Sequence, residues 1–248
     1  LIITKSKKEI EVMREAGRIV AECHDLLKDA VKPGVTTMEL DMLVEKHIRS
    51  RGATPSFKGY HGFPSSICSS PNDVICHGMP DDKPLKDGDV ITIDIGAYKG
   101  GYHGDSAWTY AVGEVSQEIK TLMEDTLESL MRAISVAVEG NTVGDLGHAI
   151  EEYIKPKGYG IVVEFAGHGV GRNLWEAPEI VHKGRPGTGP KLKNGMTIAI
   201  EPMITLGTWK SKIEADGWTA RTTDGSICVQ YEHTIAITED GPQILTQL

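Results

Sequence analysis

The sequence predicts an α+β fold, with helices packed on half-buried strands, and three observations predict it. Leu85–Asp94 reads LKDGDVITID and Leu192–Glu201 reads LKNGMTIAIE. In both, a Leu-Lys-x-Gly turn leads into an alternating strand that ends on a carboxylate six residues after the glycine. Two stretches of helical period precede stretches of strand period, and the order then begins again. No low-complexity segment or linker divides the 248 residues. The chain therefore reads as one domain, 1–248, built from pseudo-symmetric halves of about 1–113 and 114–248.

Ser6 caps a first helix running to about Ala30, with Ile10, Met13, Ala16, Ile19, Val20 and Cys23 on one face. Pro33 and Gly34 end it. Thr36 or Thr37 caps a second helix through about Arg49, with Glu39 in its first turn. Residues 52–84 are rich in Gly, Pro, Ser and Asn, with strand-like pieces near Ile67 and Val74. A strand at 90–96, a turn at Tyr98-Lys99-Gly100-Gly101 and a strand at 102–111 form a hairpin. Helices at about 116–138 and 142–156 open the second half. Further strands are predicted near 161–165, 196–203, 227–231 and 233–238, with loops at 176–195 and 204–226.

Hydrophobic residues make up 40% and charged residues 25%, enough apolar material for a sizeable core. A net charge of −9 argues against a broad nucleic-acid-binding surface. Lys210, Lys212 and Arg221 offer at most a local basic contact, and a solvated loop is the plainer reading of them. Cys23, Cys68, Cys76 and Cys228 form no CxxC pair and no small disulfide framework. The N-terminus LIITKSKKEIEVMREAG lacks the apolar segment of a signal peptide, and no run approaches a membrane span. A reducing, cytoplasmic setting is the simplest expectation.

Asp94 and Asp105 fall on the two arms of the hairpin, eleven residues apart and inside apolar alternation. Glu201, in Ile200-Glu201-Pro202, and Glu232, in Tyr231-Glu232-His233, come from the second half. His168 sits between Gly167 and Gly169, a flank that lets backbone approach a site closely. A strand with one apolar face gains no stability from an interior charge. Four carboxylates and an imidazole converging repel one another unless a cation neutralises them. A single Zn²⁺ takes three or four ligands, richer in His or Cys. Five ligands dominated by oxygen suit two divalent ions such as Mn²⁺, Fe²⁺ or Co²⁺. Two ions roughly 3.5–4 Å apart can hold one water and lower its pKa towards neutrality, so the predicted chemistry is metal-assisted hydrolysis. Taken singly, Asp105 reads as a turn or cap residue, Glu232 as an exposed strand acid and His168 as a structural histidine. The repeat places Asp94 and Glu201 at equivalent strand ends, and the joint pattern outweighs the separate readings.

The ordered series CHGMP, TIDIGA, GYHGDS, GHGVGR, AIEPM and QYEHTIAIT closely resembles the type I bacterial methionine aminopeptidases. The resemblance runs from MREAGRIVAE to the last strand, essentially the whole chain. It implies the pita-bread fold, two α/β halves around a dinuclear site holding two divalent ions (Co, Mn, Fe, Zn or Ni). Asp94 would bind one ion, Asp105 and Glu232 would bridge both, and His168 and Glu201 would complete the other's shell. Glu201 would also act as general base, and His77 would hydrogen-bond near the scissile amide. Tyr60, Phe63, Cys68 and Trp218, with Phe57 and Leu174, would form a pocket for the methionine thioether; without the resemblance these aromatics read as core. The implied activity is removal of the N-terminal methionine of nascent proteins whose second residue is small. The family precedent is a cytoplasmic monomer of the short bacterial form, in transient contact with the ribosome.

One position departs from that pattern. Where the family carries a second, substrate-facing histidine, this chain has Trp175. Indole donates one hydrogen bond but neither accepts one nor exchanges protons near neutral pH. It is also larger than imidazole, so an altered or impaired enzyme is the sharper expectation, and a tolerated Trp175 turned aside the plainer one. Two other readings compete. An X-Pro peptidase of the same fold would usually carry an additional N-terminal domain and a different histidine set. A non-catalytic binding protein of the same fold would usually have lost ligands, whereas all five are present here.

Overall fold

Ser6 closes the first turn of helix α1 (Lys7–Ala30). Its hydroxyl accepts the Glu9 N–H at 3.2 Å, and the Glu9 carboxylate accepts the Ser6 N–H at 2.8 Å, satisfying two amides that a helix start leaves unpaired. Thr36 and Glu39 repeat the arrangement at α2 (Thr37–Ser50). The computed structural model describes residues 1–248.

Short strands β1 (Thr54–Pro55), β2 (Ile67–Pro71) and β3 (Val74–Cys76) precede the long hairpin β4 (Val90–Lys99) and β5 (Tyr102–Ala111). Gly100 and Gly101 both have positive φ, as a two-residue turn matched to strand twist requires. Strand β4 is flanked by β1, β2 and β5. Helix α1 lies against β5 at a close approach of backbones. A Cβ at Gly104 would sit 2.7 Å from the Gly17 nitrogen and one at Gly17 would run into the Leu245 carbonyl, so both positions demand glycine. The result is a core of 17 buried side chains, drawn mainly from both helices and the hairpin.

Helices α3 (Gln117–Ser135) and α4 (Val143–Ile154) begin the second part. Then come β6 (Gly160–Ile161), β7 (Gly167–Gly169), β8 (Glu176–Ile180), β9 (Thr197–Ile200), β10 (Met203–Thr205), β11 (Ser211–Ile213), β12 (Ala220–Thr222), β13 (Cys228–Gln230), β14 (His233–Thr238) and β15 (Gly241–Ile244). The main sheet here has the order β15-β14-β9-β7-β8. Helices α3 and α4 pack on it over a second core of 21 buried side chains. No helix is long and apolar enough to cross a membrane.

The structure corrects several boundaries. The strand expected at 161–165 stops at Ile161. The strand expected at 196–203 breaks after Ile200 and resumes at Met203, because Pro202 has no N–H to give a ladder. The expected loop 176–195 contains β8, whose Glu and Pro content hides its alternation. The expected loop 204–226 contains the hairpin of β11 and β12, paired onward to β3. Strand β15 lies beyond the expected strands and pairs with β14 along its length.

Candidate active site

Strand β5 meets the β13–β14 segment with no ladder between them, and individual hydrogen bonds stitch the seam. The Ser106 hydroxyl donates to the Glu232 carbonyl at 2.6 Å, and the Glu232 N–H donates to the Ala107 carbonyl at 2.9 Å. The Thr109 hydroxyl donates to the Gln230 carbonyl at 2.7 Å. The Thr234 hydroxyl donates to the Asp105 carbonyl at 2.7 Å. These bonds set Asp105 and Glu232 side by side, although they are far apart in sequence.

In the β4–β5 register Asp94 faces Ala107 and Asp105 faces Gly96, so the two acids are diagonal neighbours on one sheet face. Ligand atoms of Asp105, His168 and Glu232 all lie within 4.8 Å of one another. His168 Nε2 is 3.4 Å from both Asp105 Oδ2 and Glu201 Oε1. Asp105 and Glu232 are buried, which removes the turn-residue and exposed-acid readings that each has in isolation. Asp94 and Glu201 are half-buried and reach the same space from the ends of their repeated strands.

The donor set fits a divalent cation. Asp94 Oδ1, Asp105 Oδ1 and both Glu232 oxygens are buried with no hydrogen-bond partner. His168 Nδ1 lies 2.9 Å from the Gly169 carbonyl, which can only accept. Nδ1 therefore carries a proton, which leaves Nε2 as the ring nitrogen that faces the acids and could bind a metal. Two like charges about 4 Å apart repel by ~4 kcal/mol even at an effective dielectric of about 20. That is a large part of a domain's whole margin of about 5–15 kcal/mol. Burial raises Asp105 to about 7 and Glu201 to about 8, and raises Asp94 and Glu232 well above the usual carboxylate range. The cluster thus retains protons until a cation replaces them.

Beside the acids opens a cavity of about 540 Å³. Tyr60, Phe63, Cys68, His77, Trp175 and Trp218 line it, as do Phe57 and Leu174. Phe57, Phe63, Cys68 and Leu174 form a small buried cluster of their own, closed by Met79 and Trp218. The Phe63 and Trp218 rings meet edge to face at 5.2 Å. Burial pushes the Cys68 thiol well above its ordinary value, so it is no nucleophile at neutral pH. His77 holds a left-handed φ of 57°, rare for a non-glycine residue and characteristic of sites where position outweighs strain. Its ring stands edge-on to Phe165 at 5.5 Å. Trp175 is 52% exposed at the mouth, with its ring stacked on His168 at 5.7 Å and 27°. It is therefore not turned aside.

Sequence reasoning missed Phe165, His61, Glu164, Glu179 and Met203 in the same lining. Phe165 and Glu164 directly precede the Ala166-Gly167-His168 signal and Met203 ends the AIEPM motif; His61 and Glu179 have no local signature. Arg221 is not a free cation: it pairs with Asp73 and Glu214, both at 2.6 Å. Lys210 and Lys212 are exposed.

The profile of metallopeptidase family M24 matches residues 11–239. Methionine aminopeptidase 1 of Bacillus subtilis (strain 168) is 51% identical over 248 residues, covering 100% of both chains. The crystal structure of methionine aminopeptidase from Rickettsia prowazekii superposes with a TM-score of 0.98 at 42% identity, covering 99% of this chain and 100% of that one. The prolidase of Pyrococcus furiosus is more distant, with a TM-score of 0.79 at 29% identity, and this chain covers 66% of it.

Proposed function

The chain belongs to metallopeptidase family M24, among the type I bacterial methionine aminopeptidases, and on that premise we propose how its residues divide the work. It has the pita-bread fold of that group, read as one domain with halves of about 1–113 and 114–248, and it is a metal-dependent aminopeptidase that removes the N-terminal methionine of proteins and peptides.

Asp94, Asp105, His168, Glu201 and Glu232 would hold two divalent ions. Bound there, such ions supply Lewis acidity, lowering the pKa of a water towards neutrality and offsetting negative charge on the reacting carbonyl. Glu201 takes a proton from the attacking water and returns it to the departing amine nitrogen. His77 donates a hydrogen bond near the scissile amide. Tyr60, Phe63, Cys68 and Trp218, backed by Phe57 and Leu174, enclose the methionine side chain and exclude water from it. The preference is for a small second residue, because Trp175 narrows the mouth where that residue must lie. The same substitution weakens turnover, since indole cannot replace the hydrogen-bonding of a histidine. The protein acts as a cytoplasmic monomer on emerging chains, in transient contact with the ribosome, to which Lys210 and Lys212 offer at most a local basic contact.

The observation that carries this reading is the set of four buried carboxylate oxygens without partners, set against an apolar chamber open to solvent. Hydrolysis of Met-Ala-Ser and Ala-Pro peptides, with and without Mn²⁺ or Co²⁺, tests it. Metal-dependent cleavage of Met-Ala-Ser alone is expected. Preference for Ala-Pro would favour the X-Pro reading, and cleavage of neither a binding protein.

A further inference from the structure

Glu201 stands just beyond the last paired residue of β9, Ile200, which faces His233. Pro202 follows and has no N–H, so the chain leaves the ladder at this point. The Glu201 N–H takes an unusual acceptor instead, His182 Nε2 at 3.1 Å. His182 is buried, two residues past β8, and its Nδ1 has no partner. Because Nε2 accepts, the ring is neutral with its proton on Nδ1.

Gln230 holds the other end of the same residue. Its Nε2 lies 3.0 Å from Glu201 Oε2 and 3.4 Å from the Glu201 carbonyl oxygen. Both neighbours are acceptors, so the amide nitrogen, not its oxygen, faces them. Gln230 is itself fixed across the seam: its N–H donates to Thr109 Oγ1 at 3.1 Å and its carbonyl accepts from the same hydroxyl at 2.7 Å. Thr109 lies on β5, the strand that carries Asp105. With Oε2 occupied by this donor, Oε1 is the oxygen turned to His168 and the acid cluster.

We propose that His182 and Gln230 are positioning residues that lock Glu201, one through its backbone and one through its carboxylate, so that a single oxygen is presented to the cluster. The proposal rests on the reading of Glu201 as ligand and proton acceptor. Partners of this kind turn a flexible side chain into an oriented one; Gln230 opens the QYEHTIAIT motif, whereas His182 lies in none of the motifs.

Kinetics on Met-Ala-Ser and Mn²⁺ titration calorimetry of the full chain test it, with thermal melts of each metal-free variant alongside. Gln230→Met and His182→Leu are each expected to lower kcat by about 10–100-fold, with KM held within about twofold, and to weaken Mn²⁺ binding. His182→Gln places Oε1 where Nε2 was and is expected to recover most of both losses, which a purely structural role would not require. Unchanged kcat and Mn²⁺ affinity in Gln230→Met and His182→Leu overturns the proposal, as does equal damage in His182→Gln and His182→Leu. Glu201→Gln separates this from the premise. If that variant retains turnover, the proton-acceptor reading fails on its own account. If it loses turnover while the other variants keep theirs, only the positioning role fails. In a Glu201→Gln background, Gln230→Met is expected to add no further loss of kcat.

Discussion

The Thr234 hydroxyl donates to the Asp105 carbonyl at 2.7 Å and accepts the Asp105 N–H at 3.1 Å, so one side chain does what a paired strand would do. No ladder joins β5 to β14, yet Asp105 on β5 and Glu232 just before β14 must share one space. Thr234→Val keeps the shape and removes both bonds. The buried Asp105 N–H left behind costs about 1–3 kcal/mol. Urea melts should show that loss and calorimetry a weaker Mn²⁺ affinity, while Thr234→Ser stays near the parent. A Val variant as stable and as metal-avid as the parent would show that the seam is held elsewhere.

Stability of the metal-free protein is expected to fall as pH rises through the neutral range. Burial raises Asp105 to about 7 and Glu201 to about 8, so the folded state binds protons that the unfolded chain releases near 4. That contribution is complete below the unfolded value and is lost as pH climbs through the folded ones. The buried imidazoles of His24 and His233, pushed down to about 4, act in the opposite direction and only below about 6.5. Melts in a chelator should therefore drop between pH 7 and 8.5. Added Mn²⁺ should raise Tm more at the higher pH, where protons compete least. A Mn²⁺ shift that shrinks with rising pH would refute the assignment.

Trp175→His is expected to raise kcat/KM on Met-Ala-Ser by on the order of 10²-fold, the usual worth of one hydrogen bond made only in the transition state. Equal kcat/KM in both proteins removes the idea. The stacked indole also predicts an exchange of preference. The parent should fall more steeply than the variant as the second residue grows from Ala to Leu.

Trp218 closes the apolar chamber against Phe63. Trp218→Ala should raise KM for methionyl peptides by about tenfold and leave kcat near the parent value, the mark of binding shared by ground and transition states. A fall in kcat at constant KM would place Trp218 in the chemistry instead.

Lys5 and Glu176 form an ion pair of 2.6 Å that is buried at both ends, behind the loop that carries Trp175. Lys5→Met leaves Glu176 without its cation and should cost about 3–5 kcal/mol, whereas Lys5→Met with Glu176→Met should recover most of it. Calorimetric or urea melts of the two variants decide the matter. If the double variant is no better than the single one, the pair is not the reason Glu176 is tolerated there.

Much of this protein is local, and the local part is legible in the chain. Ser6 with Glu9 and Thr36 with Glu39 announce helix starts, because the capping partners lie three residues apart. Gly100 and Gly101 announce the hairpin, because few other residues accept positive φ in succession. The repeated strand ends mark Asp94 and Glu201 as out of place on an apolar face. Strands β8, β11 and β12 were not legible, since their pairing partners lie in distant segments and their own composition reads as loop.

The sequence by itself determined the donor chemistry: four carboxylates and one imidazole, carried by elements whose own periodicity sets them. Only the tertiary structure decided which oxygens face one another, that Trp175 stacks on His168, and that His182 and Gln230 grip Glu201 from two sides. The reason is physical. Caps, turns and alternation are settled within a few residues. The orientation of a buried carboxylate depends on donors brought from strands far apart, and no spacing along the chain encodes that distance.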